Sequence, residues 1–245
     1  MTNTPLTNIA MWSGPRNIST AMMYSFANRD DCQAWDEPFY AAYLKATGLV
    51  HPMNAEILDA GEQDWRKVAE TCTAPAAKPV FYQKHMTHHM VKAFDRGFIK
   101  KLANAFLIRS PQKVLASYAR KHDEVSLHAI GFVEQAEIFD MVADHLGHAP
   151  SVIDADLHLS NPRASLQQLC AAFGIPFQDA MLKWTKGPKP CDGVWASHWY
   201  NAAWESEGFG PPASGSTAAL PEGLQRIAEQ AQPFYEKLRA HALSA

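Results

Sequence analysis

The sequence predicts an α/β fold: a three-layer, doubly wound and mainly parallel sheet of about five strands, with helices on both faces. Three observations carry this. Short apolar runs of strand length alternate with stretches of helical period along the chain. Apolar residues make up 47% of the 245, enough for a sizeable core. The first apolar run passes through a tight turn into a helical pattern, the opening of a βα unit. The length suits one α/β domain with insertions, taken here as residues 1–245, and the chain shows neither an internal repeat nor a convincing second domain.

The elements follow in order. Ile9-Ala10-Met11-Trp12 reads as a buried first strand, Ser13 to Asn17 as a turn, and Ile18 to Asn28 as a helix. Cys32 to Trp35 is a short second strand ending at Asp36-Glu37-Pro38, with a helix over Phe39 to Ala46. The stretch from His51 to Ala77 is polar and less regular, with a helix around Asp64 to Thr71. Val80 to Gln83 and Phe106 to Ile108 are the third and fourth strands; Pro111 then opens a helix at a position that needs no N–H. Gly131 to Leu146 is amphipathic, Ser151 to Ile153 is a fifth strand, and Asn161-Pro162 caps a helix reaching Phe173. A last helix runs from about Pro221 to His241. Residues 187–217 break the pattern. Trp195, Trp199, Tyr200, Trp204 and Phe209 crowd a Gly- and Pro-rich stretch, and Pro211 to Thr217 is small and polar. A loop this long in a compact domain is usually functional or flexible.

Charge excludes one class of partner. With 22 basic and 25 acidic residues the net charge is -3, without the basic excess of a nucleic-acid binder. No run of about eighteen or more apolar residues is present, so no membrane span is expected. Met1 to Asn8 lacks the basic and apolar pattern of a secretory signal. Cys32, Cys72, Cys170 and Cys191 are scattered without metal-binding spacing, as expected of reduced thiols in a cytoplasmic protein.

Two segments point to an anion. A helix begins with N–H groups that have no internal partner, and its dipole adds partial positive charge there. Ser13-Gly14-Pro15-Arg16-Asn17-Ile18-Ser19-Thr20 sits at such a junction: Gly14 eases the turn, Arg16 brings a permanent cation, and Ser19 and Thr20 bring hydroxyls. An ordinary βα turn whose Arg pairs with a carboxylate is the plain alternative. The ATP-type pattern, with a second Gly and a Lys, is absent. Further on, Arg109 ends a strand and Ser117 lies eight residues later in the next helix, so the two can converge on one phosphate. Alone, such an Arg is more often a salt-bridge residue.

Together these segments resemble the sulfotransferase family. Its 5′-phosphosulfate loop is typically a strand, a basic residue and Ser-Gly-Thr-Thr, and its 3′-phosphate site is a strand-end Arg with a Ser eight residues on. A third fragment agrees: Ile153-Asp154-Ala155-Asp156-Leu157, Asn161-Pro162, and Leu166 to Phe173-Gly174-Ile175-Pro176 resemble the family's strand, acidic-Leu, helix and FLGIP stretch. The resemblance spans most of Ile9 to Pro176. It implies a fold related to nucleotide kinases (P-loop NTPase-like), 3′-phosphoadenosine 5′-phosphosulfate (PAPS) as donor, adenosine 3′,5′-bisphosphate (PAP) as product, and a small-molecule acceptor. It implies a nucleotide site of Ser13 to Thr20 with Arg109 and Ser117. The chain departs from the pattern in places. Arg16 stands where cytosolic members often carry Lys. Asn17-Ile18 replace Ser-Gly, so the loop is expected to do without glycine dihedrals at position 18. Gln83-Lys84-His85-Met86 misses the Lys-Thr-His motif by one residue. Lys186-Gly187 lies where the family often has a basic adenosine-contacting loop.

Sulfuryl transfer builds charge on the leaving bridging oxygen, and Arg16 with the helix N–H groups would stabilise it without a metal. The acceptor needs a base. Glu37 follows the second strand at the sheet edge where doubly wound folds bind ligands, and some bacterial carbohydrate sulfotransferases look similar there. A Glu favoured by a helix dipole is the structural alternative. His85 is the other candidate, next to His88 and His89. On a helix, His85 and His89 would share a face; that pair could ligate zinc, but no third ligand is evident, so no metal is expected. The Trp195 to Tyr200 segment either closes over the nucleotide or acceptor or forms a satellite hydrophobic cluster. Two other functions stay open: a kinase-like phosphotransferase, needing Asp154 or Asp156 for Mg²⁺, and a nucleotide-binding protein without catalysis.

Overall fold

A computed structural model of the chain describes residues 6–120, 125–211 and 219–244. Five strands form one open sheet: β1 (Thr7–Ser13), β2 (Cys32–Asp36), β3 (Val80–Met86), β4 (Ala103–Ile108) and β5 (Ser151–Asp154). Their order is β2-β3-β1-β4-β5, and every neighbouring pair is parallel. This is the predicted α/β class. Parallel neighbours need crossovers, supplied by helices that precede β5, and the other helices follow it. In chain order the helices are α1 (Ser19–Ala27), α2 (Tyr40–Thr47), α3 (Asn54–Ala60), α4 (Trp65–Thr73), α5 (Pro111–Tyr118), α6 (Phe132–Leu146), α7 (Ala155–Ser160), α8 (Pro162–Ala172), α9 (Ala196–Trp199), α10 (Asn201–Trp204) and α11 (Glu222–Arg239).

Alternation along each strand splits the core in two. Ile9 and Met11 of β1, Tyr82 of β3 and Leu107 of β4 face α1 and α8. Ala10, Trp12, Phe106 and Ile108 face α4, α5, α6 and α11. The sheet is therefore covered on both sides, as a parallel sheet requires. Gln135 of α6 ties one layer to the sheet, its amide donating to the carbonyls of Trp12 and Leu107 at 3.2 and 2.9 Å. All four cysteines are free. Among the described residues no helix is long and apolar enough to cross a membrane.

Three local expectations change. The polar stretch after His51 contains a helix, α3, with Met53 at φ 61° before it. β3 continues past Gln83 to Met86, so Lys84 and His85 are strand residues. His85 and His89 therefore do not share a helix face; Thr87–His89 is a single 3₁₀ turn. Most of the small polar stretch Pro211 to Thr217 lies outside the described residues.

Candidate active site

The carboxyl ends of β1 to β4 open onto a cavity of about 430 Å³. β1 lies between β3 and β4, so ligand groups can enter on either side of its loop, the usual position of a site in an open α/β sheet.

The loop after β1 takes a backbone the sequence did not announce. Arg16 has φ 64°, and Ile18, capping α1, has φ 55° and ψ 19°. The loop does adopt glycine-like dihedrals at position 18, without a glycine. A β-branched residue there is a real outlier, costing about 1–3 kcal/mol that the surrounding structure must offset. The chain around Asn17 thus alternates in hand, and such backbones curl N–H groups into an anion-binding concavity. No side chain caps α1, and its first turn holds no acidic residue, which leaves its first N–H groups toward the cavity. Gly14 is needed for space. A Cβ there would lie 2.4 Å from the Ile130 carbonyl oxygen. Ser13 and Asn17 are buried beneath the loop, Asn17 donating weakly to the Leu107 carbonyl at 3.5 Å. Pro15, Ser19 and Thr20 line the cavity.

Arg109 and Ser117 reach the same corner by another route. Arg16 Nε donates to Ser117 Oγ at 2.9 Å, and Arg109 Nη1 donates to the Arg16 carbonyl at 3.2 Å. The Ser117 hydroxyl is thus held by Arg16, while Arg109 braces the loop. Burial, then Arg120 and Arg109, hold the Arg16 pKa below its ordinary value. Like charges gathered this way create a demand for an anion. Asp156 answers part of it, at 2.9 Å from Lys113 and 3.9 Å from Arg109. Asp154, the other acid considered for Mg²⁺, caps α7 and accepts from Tyr235 at 2.7 Å.

On the β2–β3 side the arrangement is acidic. Asp36 and Lys84 are register partners on adjacent strands, both buried. Lys84 Nζ lies 2.9 Å from Asp36 Oδ1 and 2.5 Å from Glu37 Oε1. Its third bond goes to the Tyr200 hydroxyl at 2.6 Å. Burial disfavours the ammonium, but the two carboxylates outweigh it and hold Lys84 charged. Glu37, at φ 40°, lines the cavity with 11% of its side chain exposed. Burial raises its pKa against the pull of Lys84, and the neighbouring Asp36 charge raises it further.

His85 stands apart. It points to the other sheet face, stacks on Trp12 at 4.4 Å and hydrogen-bonds Gln83 at 3.0 Å. It does not line the cavity. Burial pulls its pKa down to about 3. The unfolded value is about 6.5, so neutral His85 supports the fold above that pH, and the support falls away as pH drops toward 3. At pH 5 the loss is about 2 kcal/mol. Thermal melts between pH 7.5 and 5 should therefore show a falling midpoint, with a shallower slope in His85→Gln. Equal slopes would contradict a buried neutral His85.

His88 and His89 do line the cavity, with Tyr40 and His51. Tyr40 stacks on His89 at 4.7 Å, and its hydroxyl meets His51 Nδ1 at 2.8 Å. Burial lowers the pKa of all three histidines, His88 to about 3. Aromatic residues 195–209 complete the enclosure. Trp195 is buried and donates to the Tyr200 hydroxyl at 3.3 Å, while Trp199, Tyr200 and Phe209 line the cavity. Sequence reasoning named Tyr200 only as part of its aromatic segment, and it missed Asp36, Tyr40 and His51. Only Asp36 carried a signal, as the acidic partner of Glu37 at a strand end.

The Sulfotransferase domain family matches residues 7–242. The chain belongs to the sulfotransferase family. Two Arabidopsis thaliana proteins, branched-chain-amino-acid aminotransferase-like proteins 2 and 1, are 38% and 37% identical to this sulfotransferase over 95% of its length. The chain spans 41% and 42% of their length. Among solved structures, the sulfotransferase domain of the Synechococcus PCC 7002 olefin synthase superposes with a TM-score of 0.57, covering 94% of this chain and 95% of that one at 16% identity. A sulfotransferase from Alicyclobacillus acidocaldarius gives 0.52, covering 96% and 94% at 10% identity. These likenesses concern the fold.

Proposed function

We propose that this sulfotransferase takes PAPS as donor and passes its sulfuryl group to a small acceptor, releasing PAP. The observation that carries the reading is the convergence of Arg16, Arg109 and Ser117 on one side of the cavity, with Glu37 opposite. The 5′-phosphosulfate rests on the loop from Ser13 to Thr20, and the 3′-phosphate lies by Arg109 and Ser117. The acceptor occupies the β2–β3 side, against Tyr40, His51, His88 and His89. Its oxygen or nitrogen attacks sulfur, the bond from sulfur to the bridging oxygen breaks, and PAP leaves with that electron pair. Glu37 takes the acceptor's proton. Arg16 and the α1 N–H groups meet the charge growing on the leaving group. Asp154 and Asp156 are engaged by α7, Tyr235, Lys113 and Arg109, which favours this over a Mg²⁺-dependent kinase. With its four free thiols the enzyme suits the cytoplasm.

The test is a thermal-shift series with PAP, AMP and ATP. PAP at about a hundred times its dissociation constant should add about 2.7 kcal/mol. AMP, lacking the 3′-phosphate, should add less. Equal shifts for PAP and AMP would remove the 3′-phosphate site, and a larger shift with ATP and Mg²⁺ would favour phosphotransfer.

A further inference from the structure

Glu37 has a difficulty as a base: an ammonium sits 2.5 Å from its Oε1. A lone Lys beside a carboxylate stabilises the ionised form and makes it a poor proton acceptor. The cluster around it resolves this. Lys84 is shared with Asp36, which is buried behind Glu37 and does not line the cavity. Asp36 is fully engaged: it accepts from Lys84 at 2.9 Å, from the Tyr200 hydroxyl at 2.8 and 2.9 Å, and from the Gly193 N–H at 3.2 Å. One cation therefore faces two carboxylates, and the cluster of Asp36, Glu37 and Lys84 carries a formal charge of about −1 when both acids are ionised. Lys84 holds Oε1 of Glu37 while the single Tyr200 proton goes to Asp36, which leaves Oε2 for the cavity.

We propose that Asp36 is a positioning residue that takes up the charge of Lys84, and so leaves the Glu37 carboxylate basic enough to accept the acceptor's proton. The inference rests on Glu37 being the base. Tyr200 contributes from the aromatic segment by donating to Asp36 and accepting from Lys84 and Trp195, which fixes the ammonium between the two acids. The charged and titratable groups around Glu37 are Lys84 from β3, Asp36 from β2, Tyr200 from the aromatic segment and Tyr40 from α2. Arg16, His51, His88 and His89 line the same cavity. Of these only Asp36 is an anion beside Lys84. Removing its charge should let Lys84 serve Glu37 alone, and the Glu37 pKa should fall.

The experiment is a carbon-13 titration of the Glu37 side-chain carboxyl, assigned by its loss in Glu37→Gln, with the pH profile of turnover measured alongside. In the unmodified enzyme Glu37 should titrate above the ordinary carboxylate range. In Asp36→Asn its midpoint should fall by about one to three pH units, and the acid limb of turnover should move down with it while the plateau drops. Asp36→Glu, which keeps the charge, should restore the limb. A Glu37 midpoint that Asp36→Asn leaves in place would overturn the proposal. So would a Glu37 in the unmodified enzyme that titrates in the ordinary range, a result that needs no variant to fold. If the midpoint moves as expected but Glu37→Gln still transfers sulfate, the charge balance stands and the base lies elsewhere.

Discussion

Glu37→Gln is expected to lower turnover by about a hundredfold to ten-thousandfold, the range for loss of a general base. The substitution is nearly isosteric, and Gln can still accept from Lys84 through its carbonyl, so the fold should survive. Donor binding should barely change, because Glu37 lies on the β2–β3 side and the phosphate loop on the other. Single-turnover measurements with saturating donor separate the two quantities. His85→Asn in the same assay should be mild, because His85 stacks on Trp12 beneath the opposite sheet face. A silent Glu37→Gln under conditions where chemistry limits the rate would mean that the acceptor needs no protein base.

The second large effect belongs to Arg16. Arg16→Ala should lower turnover on the order of a hundredfold or more, because its cation answers charge that grows only in the transition state. Arg109→Ala should act differently. Arg109 braces the loop through the Arg16 carbonyl and faces a phosphate that does not react, so its loss should mainly raise the apparent Michaelis constant for the donor. Steady-state kinetics over a range of donor concentrations distinguishes them. If Arg109→Ala abolished turnover at saturating donor while Arg16→Ala only weakened binding, the two roles would be reversed.

The sequence made the frame of this site legible because its signals are local. The strand, the Gly14-Pro15 turn and the helix beginning near Ile18 lie within about twenty residues, and Arg109 and Ser117 within ten, so periodicity and helix geometry alone bring them to one edge. What escaped depends on distant partners. The sequence reading ends the third strand at Gln83; Lys84 and His85 stay in the strand because Asp36 neutralises one across the sheet and Trp12 stacks on the other. Tyr200 meets Asp36 from 164 positions away, and no local pattern in an aromatic loop announces that contact. The left-handed backbone at Ile18 was missed for the opposite reason. Its local preference is against it, and only the packed loop holds it there. Such conflicts between local preference and structure gather at functional sites.

One measurement reaches the central claim directly. The enzyme is incubated with PAPS labelled in its sulfuryl group and a set of small hydroxyl- and amine-bearing acceptors, without added metal, and both labelled product and PAP are quantified. The account predicts labelled sulfate ester or sulfamate and PAP in equal amounts, with both strongly reduced in Arg16→Ala and Glu37→Gln. Tight binding of PAP with no labelled product from any acceptor would contradict it, and would describe a nucleotide-binding protein that has kept the fold without the chemistry.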